Sequence, residues 1–223
     1  MQLLNLWRGL VMCNLYSITT NQEAIRAITR AMIDHVGNLP PSLDVYPDRA
    51  APIIRATADG RELTNLTWGM PSPPSVTGGK PDSGVTNIRN TSSPHWRRWL
   101  GPENRCLVPW TRFCEWEDTK PKKTKRWFAI NEEMPLAFFA GIWTSWKGER
   151  GSTKNPRPGE HQLFGFLTTE ANEVVKPIHP KAMPVILTTE EELDTWLQAS
   201  WAEAKDLQRP LSREQLVLLP VTP

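Results

Sequence analysis

Several stretches hold polar residues in surroundings that alter their chemistry. Glu115 lies in Phe113-Cys114-Glu115-Trp116. A carboxyl between aromatic residues loses solvent, which raises its pKa and suits it to moving protons near neutrality. Strand alternation would equally allow it to face water. His179 lies in Lys176-Pro177-Ile178-His179-Pro180, where prolines stiffen the loop on both sides. A histidine on a rigid loop is a candidate acid or base, although a lone histidine is more often structural. In Asn87-Ile88-Arg89, the amide can orient a carbonyl and the guanidinium can hold a phosphate. His95-Trp96-Arg97-Arg98-Trp99-Leu100 interleaves cations with indoles. That pattern suits a nucleic-acid strand, and an amphipathic helix shows it too. His35, His95 and His161 read as surface residues.

Cys13 follows Met12 at the end of a short apolar leader. Three readings compete: a buried cysteine, the lipid-bearing cysteine of an export signal, or a working N-terminus. The leader carries no cation before its apolar part, Arg8 and Gly9 interrupt it, and Met12 is not the small residue a cleavage site wants. Export is therefore set aside. Residues 1–11 read as a mis-assigned start or a processed leader, ahead of a single domain over 12–223. The remaining cysteines are Cys106 and Cys114. Three thiols without a CxxC pair form neither a disulfide framework nor a zinc site, so a reducing compartment follows and no metal or cofactor is expected.

These residues need a scaffold. The chain has 223 residues, 39% of them hydrophobic, enough for one domain with a core. The net charge of +2 gives no global field toward nucleic acid, and no apolar run is long enough for a membrane span. Tryptophan is abundant, 11 against 2 tyrosines; indoles either fill a core or stack on bases. Thr20 to Glu23 reads as a capping box, with Ile25, Ile28, Met32 and Val36 on one helical stripe behind it. Pro52 to Gly69 reads as a hairpin turning at Asp59-Gly60. Pro71 to Gly84 reads as a flexible loop, and Ser93-Pro94 as a helix start. Further strands are expected over Arg105–Glu117, Arg126–Ile130, Leu136–Trp146, His161–Thr169, Met183–Leu187 and Glu214–Val221, with a surface loop over Gly148–Glu160. Thr189 to Glu192 is a second capping box. Short strands with few helices imply an α+β fold: a mainly antiparallel, barrel-like β-sheet core with peripheral helices.

Taken in order, Met12-Cys13, Trp68-Gly69, Asn87-Ile88-Arg89, Phe113-Cys114-Glu115-Trp116, Leu167 to Asn172, Ile178-His179 and Met183-Pro184 resemble the SOS-response-associated peptidase (SRAP) family. The resemblance covers roughly residues 12 to 200. It departs from the family where Asn14-Leu15 follows Met-Cys in place of Gly-Arg, at Thr91 in place of a glutamate, and in the lengthened spacing from His179 to Met183. The resemblance implies a cytoplasmic protein, nucleoid-associated if bacterial and acting as a monomer. It would sense abasic sites in single-stranded DNA by a thiazolidine crosslink through an N-terminal Cys13, with autoproteolytic removal of preceding residues and a lyase side activity. By the same resemblance, Glu115 transfers protons and His179 opens the sugar ring. Asn87 positions Cys13, Arg89 holds a phosphate, and Trp68 stacks on a base. A peptidase acting on other proteins and a noncovalent single-strand binder are the alternatives.

Overall fold

The computed structural model describes residues 13–40 and 43–221. The expected leader, with Met12, lies outside the described residues. The strands are β1 (Tyr16–Ile18), β2 (Ile33–Asp34), β3 (Leu43–Val45), β4 (Ala50–Thr57), β5 (Gly60–Trp68), β6 (Asn87–Ile88) and β7 (Arg105–Trp110). They continue with β8 (Arg112–Glu117), β9 (Thr124–Ala129), β10 (Ala137–Ser152), β11 (Asn155–Thr169), β12 (Met183–Pro184), β13 (Ile186–Leu187) and β14 (Val217–Leu218). The helices are short: α1 (Gln22–Thr29), α2 (Pro74–Thr77), α3 (Pro94–Arg97), α4 (Glu190–Gln198) and α5 (Trp201–Ala204). None of them is long and apolar enough to cross a membrane.

Strands β5, β4, β7, β10 and β11 pair in that order, and a parallel β11–β5 contact closes them into a barrel. The second sheet runs β14-β9-β8-β1-β3. Closure leaves the five barrel strands no free edge among themselves. The α+β, barrel-like expectation therefore holds. Aromatic stacking fills the space between the sheets. Trp110 lies on Phe139 at 4.9 Å and 7° between planes, and Phe113 on Phe128 at 5.1 Å and 18°. Each ring fully buried in this way contributes about 1.5–3 kcal/mol.

Several boundaries differ from the sequence expectations. The cap of α1 is Asn21, whose Oδ1 accepts from Ala24 N at 2.8 Å, rather than Thr20. The helix ends early because Arg30 is left-handed at φ 54, so Met32 leaves the stripe and is 78% exposed. The first hairpin turns one residue sooner than expected, at Ala58-Asp59, with Thr57 opposite Gly60. The segment Arg105–Glu117 breaks at Thr111, whose N–H donates to Ser17 O at 2.8 Å. That break carries the chain from the barrel into the second sheet. The expected loop over Gly148–Glu160 continues the β10–β11 ladder to Ser152↔Asn155, because consecutive residues keep finding partners across a two-stranded ribbon. The Pro71–Gly84 segment is pinned by buried Asp82, which accepts from Ser72 N and Gly84 N. At the C-terminal end, only Val217–Leu218 form a strand.

Candidate functional site

Cys13 sits just ahead of β1 and is 1% exposed. The Cys114 N–H donates to Leu15 O at 2.9 Å, which draws the Cys13 segment alongside β8. The Cys13 backbone N–H donates to the Glu115 carboxyl. Asn87 Nδ2 donates to Cys13 O at 2.9 Å and to Thr86 Oγ1 at 2.8 Å. Both polar ends of the Cys13 backbone are thus held, one by a carboxyl and one by an amide. The thiol donates weakly to Leu15 O at 3.7 Å.

The corner is electrostatically unbalanced. Glu115 is 1% exposed, and its Oε2 has no hydrogen-bond partner. Its cross-strand neighbour on β9 is Arg126, whose Nη1 instead donates to Glu117 at 2.5 Å. Burial pushes the Glu115 carboxyl up to about 8, and the Cys13 N–H offsets part of that rise. Burial, reinforced by the nearby Glu115, raises the Cys13 thiol well above its ordinary range. Asn87 Oδ1 and the Tyr16 hydroxyl are likewise buried without a partner. Buried polar atoms normally find partners, so such a group of orphans marks a place kept for something else.

Asn87 reaches the corner because β6 runs parallel to β11, with Asn87 beside Phe166. Arg89 follows it and is exposed. Gln208 braces this strand: its amide donates to Arg89 O at 2.9 Å and Thr168 O at 3.0 Å, and its oxygen accepts from Thr91 Oγ1 at 2.9 Å. Sequence reasoning missed Gln208, which lies in a segment with no motif. His179 is half-buried on the loop between β11 and β12. Asn172 opens that loop, accepting from Val174 N at 3.1 Å and Val175 N at 3.0 Å and donating to Leu211 O at 2.9 Å. The His179 N–H donates to Val175 O, and its Nδ1 lies 2.9 Å from Ala182 O. A carbonyl only accepts, so Nδ1 carries the proton and Nε2 keeps its lone pair. No hydrogen bond or ion pair joins His179 to Cys13 or Glu115 among the described residues. The corner therefore gathers Cys13, Asn87 and Glu115, while His179 comes from the neighbouring loop.

Trp68 does not fit the expected base-stacking role. It is fully buried, stacks on Phe166 at 5.2 Å, meets Tyr16 edge-on, and donates from Nε1 to Thr86 O at 3.2 Å. With both faces packed, it supports the strand that carries Asn87. Its neighbour Gly69 has φ +138, and a Cβ there would lie 2.8 Å from the buried Arg150 guanidinium. The Trp68-Gly69 pair is thus explained by packing. Trp96 of α3 and Trp99 in the turn after it also face inward, at 8% and 9% exposure. The amphipathic-helix reading of that segment is the correct one.

The fold and this corner define a two-sheet α+β protein in which a cysteine, a carboxyl and an amide are held together. Residues 12–223 match the family described as SOS response associated peptidase (SRAP), and the chain belongs to it. Among curated relatives, the abasic site processing protein YoqW of Bacillus subtilis (strain 168) is 31% identical over 176 residues, covering 77% of this chain and 73% of that protein. The abasic site processing protein YoaM of the same organism is 32% identical over 167 residues, covering 72% and 67%. A solved structure from Bordetella bronchiseptica has a TM-score of 0.71 at 21% identity, covering 94% of this chain and 100% of that one. One from Bacteroides thetaiotaomicron has a TM-score of 0.69 at 24% identity, covering 92% and 90%. The structural likeness confirms the fold.

Proposed function

We propose that this protein captures abasic sites in single-stranded DNA as a thiazolidine crosslink through Cys13, once the residues before Cys13 have been removed. The observation that carries this reading is the Cys13 backbone N–H set against the buried Glu115 carboxyl, whose Oε2 has no partner. That nitrogen becomes the α-amine when Cys13 is first in the chain. Relatives named as abasic site processing proteins support the same substrate.

The chemistry balances around these groups. The neutral Cys13 amine adds to C1′ of the open sugar aldehyde and gives a carbinolamine. Protonated Glu115 passes its proton to the hydroxyl, which leaves as water, and an iminium remains. The thiol adds to C1′ and returns its proton to the Glu115 carboxylate. The ring closes, one water has been released, and Glu115 ends as it began. An α-amine titrates near 7.7–8.0, and Glu115 titrates at about 8. Donor and nucleophile are matched, which is where proton transfer is most effective. His179 Nε2 takes the proton of the anomeric hydroxyl, the C1′–O4′ bond breaks to leave the aldehyde, and the proton passes on to O4′, which returns His179 to its starting state. Asn87 holds the Cys13 carbonyl while the amine moves, and Arg89 neutralises a flanking phosphate.

The corner also releases its own leader in this reading. The thiol attacks the carbonyl of residue 12 to form a thioester and free the amine, and water hydrolyses the thioester. A protease acting on other chains would want a thiol–imidazole pair. Here the Cys13 thiol bonds Leu15 O and the His179 Nδ1 bonds Ala182 O.

Intact mass under denaturing conditions, with and without an abasic oligonucleotide, tests the proposal. A chain beginning at Cys13 should gain the oligonucleotide mass less one water. Cys13→Ala should bind the strand and lose every covalent species. A confirmed free Cys13 amine that yields no adduct would sink the proposal.

A further inference from the structure

Strand alternation splits β8 and β9 into two faces. Phe113 and Glu115 turn inward with Phe128, while Arg112, Cys114 and Trp116 share the other face with Lys125 and Trp127. On that outer face the indoles and cations alternate. The Lys125 ammonium lies 5.5 Å from the Trp116 ring, and the Arg112 guanidinium 4.2 Å from the Trp127 ring. Both indoles are half-exposed, and Lys122, Lys123 and Lys125 are exposed. Together with Thr124 and Val221, these residues line an open groove that has no carboxylate among the described residues of its lining. Of the nearby acids, Glu117 is held by Arg126, and Asp44 lies 4.0 Å from Arg112.

We propose that this groove is a second nucleic-acid surface, which holds the same single strand beyond the lesion through its phosphates and bases. It rests on the crosslinking reading for its ligand. A polyanion matches the lysines, and flat bases match the two indole faces, each already backed by a cation. One hydrogen bond also links the groove to the reacting corner. Trp116 follows Glu115 in β8, and its indole N–H donates to Asn14 Oδ1 at 3.0 Å, one residue from Cys13. A strand that leaves Cys13 over the end of the sheet reaches Trp116 first and the lysines next. The surface needs no lesion, so it retains undamaged strand on either side of an abasic site.

Anisotropy of a labelled, unmodified oligothymidylate, titrated across salt concentrations, tests this. Replacing Lys122, Lys123 and Lys125 by glutamine should weaken binding at low salt by about ten-fold or more. It should also flatten the salt dependence of log K by about 2, since each single-strand phosphate contact contributes about 0.7. Trp127→Leu should weaken binding by about five-fold or more. The lysines are exposed, so the triple variant keeps its thermal midpoint. On a short abasic oligonucleotide at saturation, the triple variant should form adduct as fast as the unaltered protein. An unchanged salt slope and affinity would overturn the groove. So would lysine-dependent binding of polyglutamate tighter than that of the oligothymidylate, which would assign the surface to an acidic peptide. If the unaltered protein forms no adduct, the crosslinking reading fails, and the anisotropy measurements still decide the groove.

Discussion

Asp82 and Glu115 are both buried acids, and their surroundings differ in kind. Asp82 is 4% exposed and fully occupied. It accepts from Ser72 N at 2.9 Å, Ser72 Oγ at 2.6 Å and Gly84 N at 2.8 Å, and Arg150 Nη1 lies 3.7 Å away. Arg150 is itself 1% exposed and reaches Asp48 at 3.1 Å. Glu115 is 1% exposed, holds one backbone N–H, and leaves an oxygen without a partner. The surroundings of Asp82 supply the hydrogen bonds that water would. Glu115 is buried where a single N–H takes the place of water, so the proton stays on. The first arrangement fixes a fold, and the second leaves a protonated carboxyl with a free oxygen, as the proposed chemistry requires.

Substitution of each acid tests this difference directly. The largest stability effect is expected for Asp82→Asn, which removes one of the two carboxylates beside the buried Arg150. Unfolding should show a loss of about 3–5 kcal/mol, the range for breaking a buried pair. Glu115→Gln should do the reverse. The folded carboxyl stays protonated up to about 8, whereas the unfolded one ionises near 4.5. Between those values the unfolded state holds fewer protons, so the unaltered protein loses stability as pH rises, by at most about 1.4 kcal/mol per unit. The glutamine variant should be no less stable at pH 6, and more stable than the parent at pH 9. It should also form adduct roughly 100-fold more slowly. If both variants destabilise the fold equally, the contrast between the two acids is wrong.

Smaller effects sharpen the comparison. Gly84 has φ +83, and a Cβ there would overlap the Arg150 guanidinium. Gly84→Ala should cost about 1–3 kcal/mol in chemical denaturation while leaving the adduct rate of the folded protein intact. Asn87→Ala removes the bond to Cys13 O. It should slow adduct formation about five-fold, the equivalent of about 1 kcal/mol, with little change in the thermal midpoint. An adduct rate equal to that of the parent would remove Asn87 from the reacting corner.

Most of the candidate site residues were legible because their surroundings in sequence are unusual. A carboxyl in Phe-Cys-Glu-Trp and an amide in Asn-Ile-Arg are short-range facts. Trp68 misled because a motif shows that a residue matters without saying why; its indole is packed on Phe166 and Tyr16. For Trp96 and Trp99 the sequence left both readings open, since a helix face has no direction until something packs on it. Gln208 and Arg150 were invisible because their partners lie far away in the chain.

The sequence by itself determined the α+β character, the strand-rich core and the order of the reacting residues, because periodicity, turn residues and local apolar context are short-range properties. Only the tertiary structure decided that β11 closes the barrel on β5, that Arg126 turns from Glu115 to Glu117, and that Trp116 and Trp127 share one outer face with the lysines. Those outcomes depend on pairing between residues remote in sequence. Burial then sets the charge on each group according to which partners the fold has left beside it.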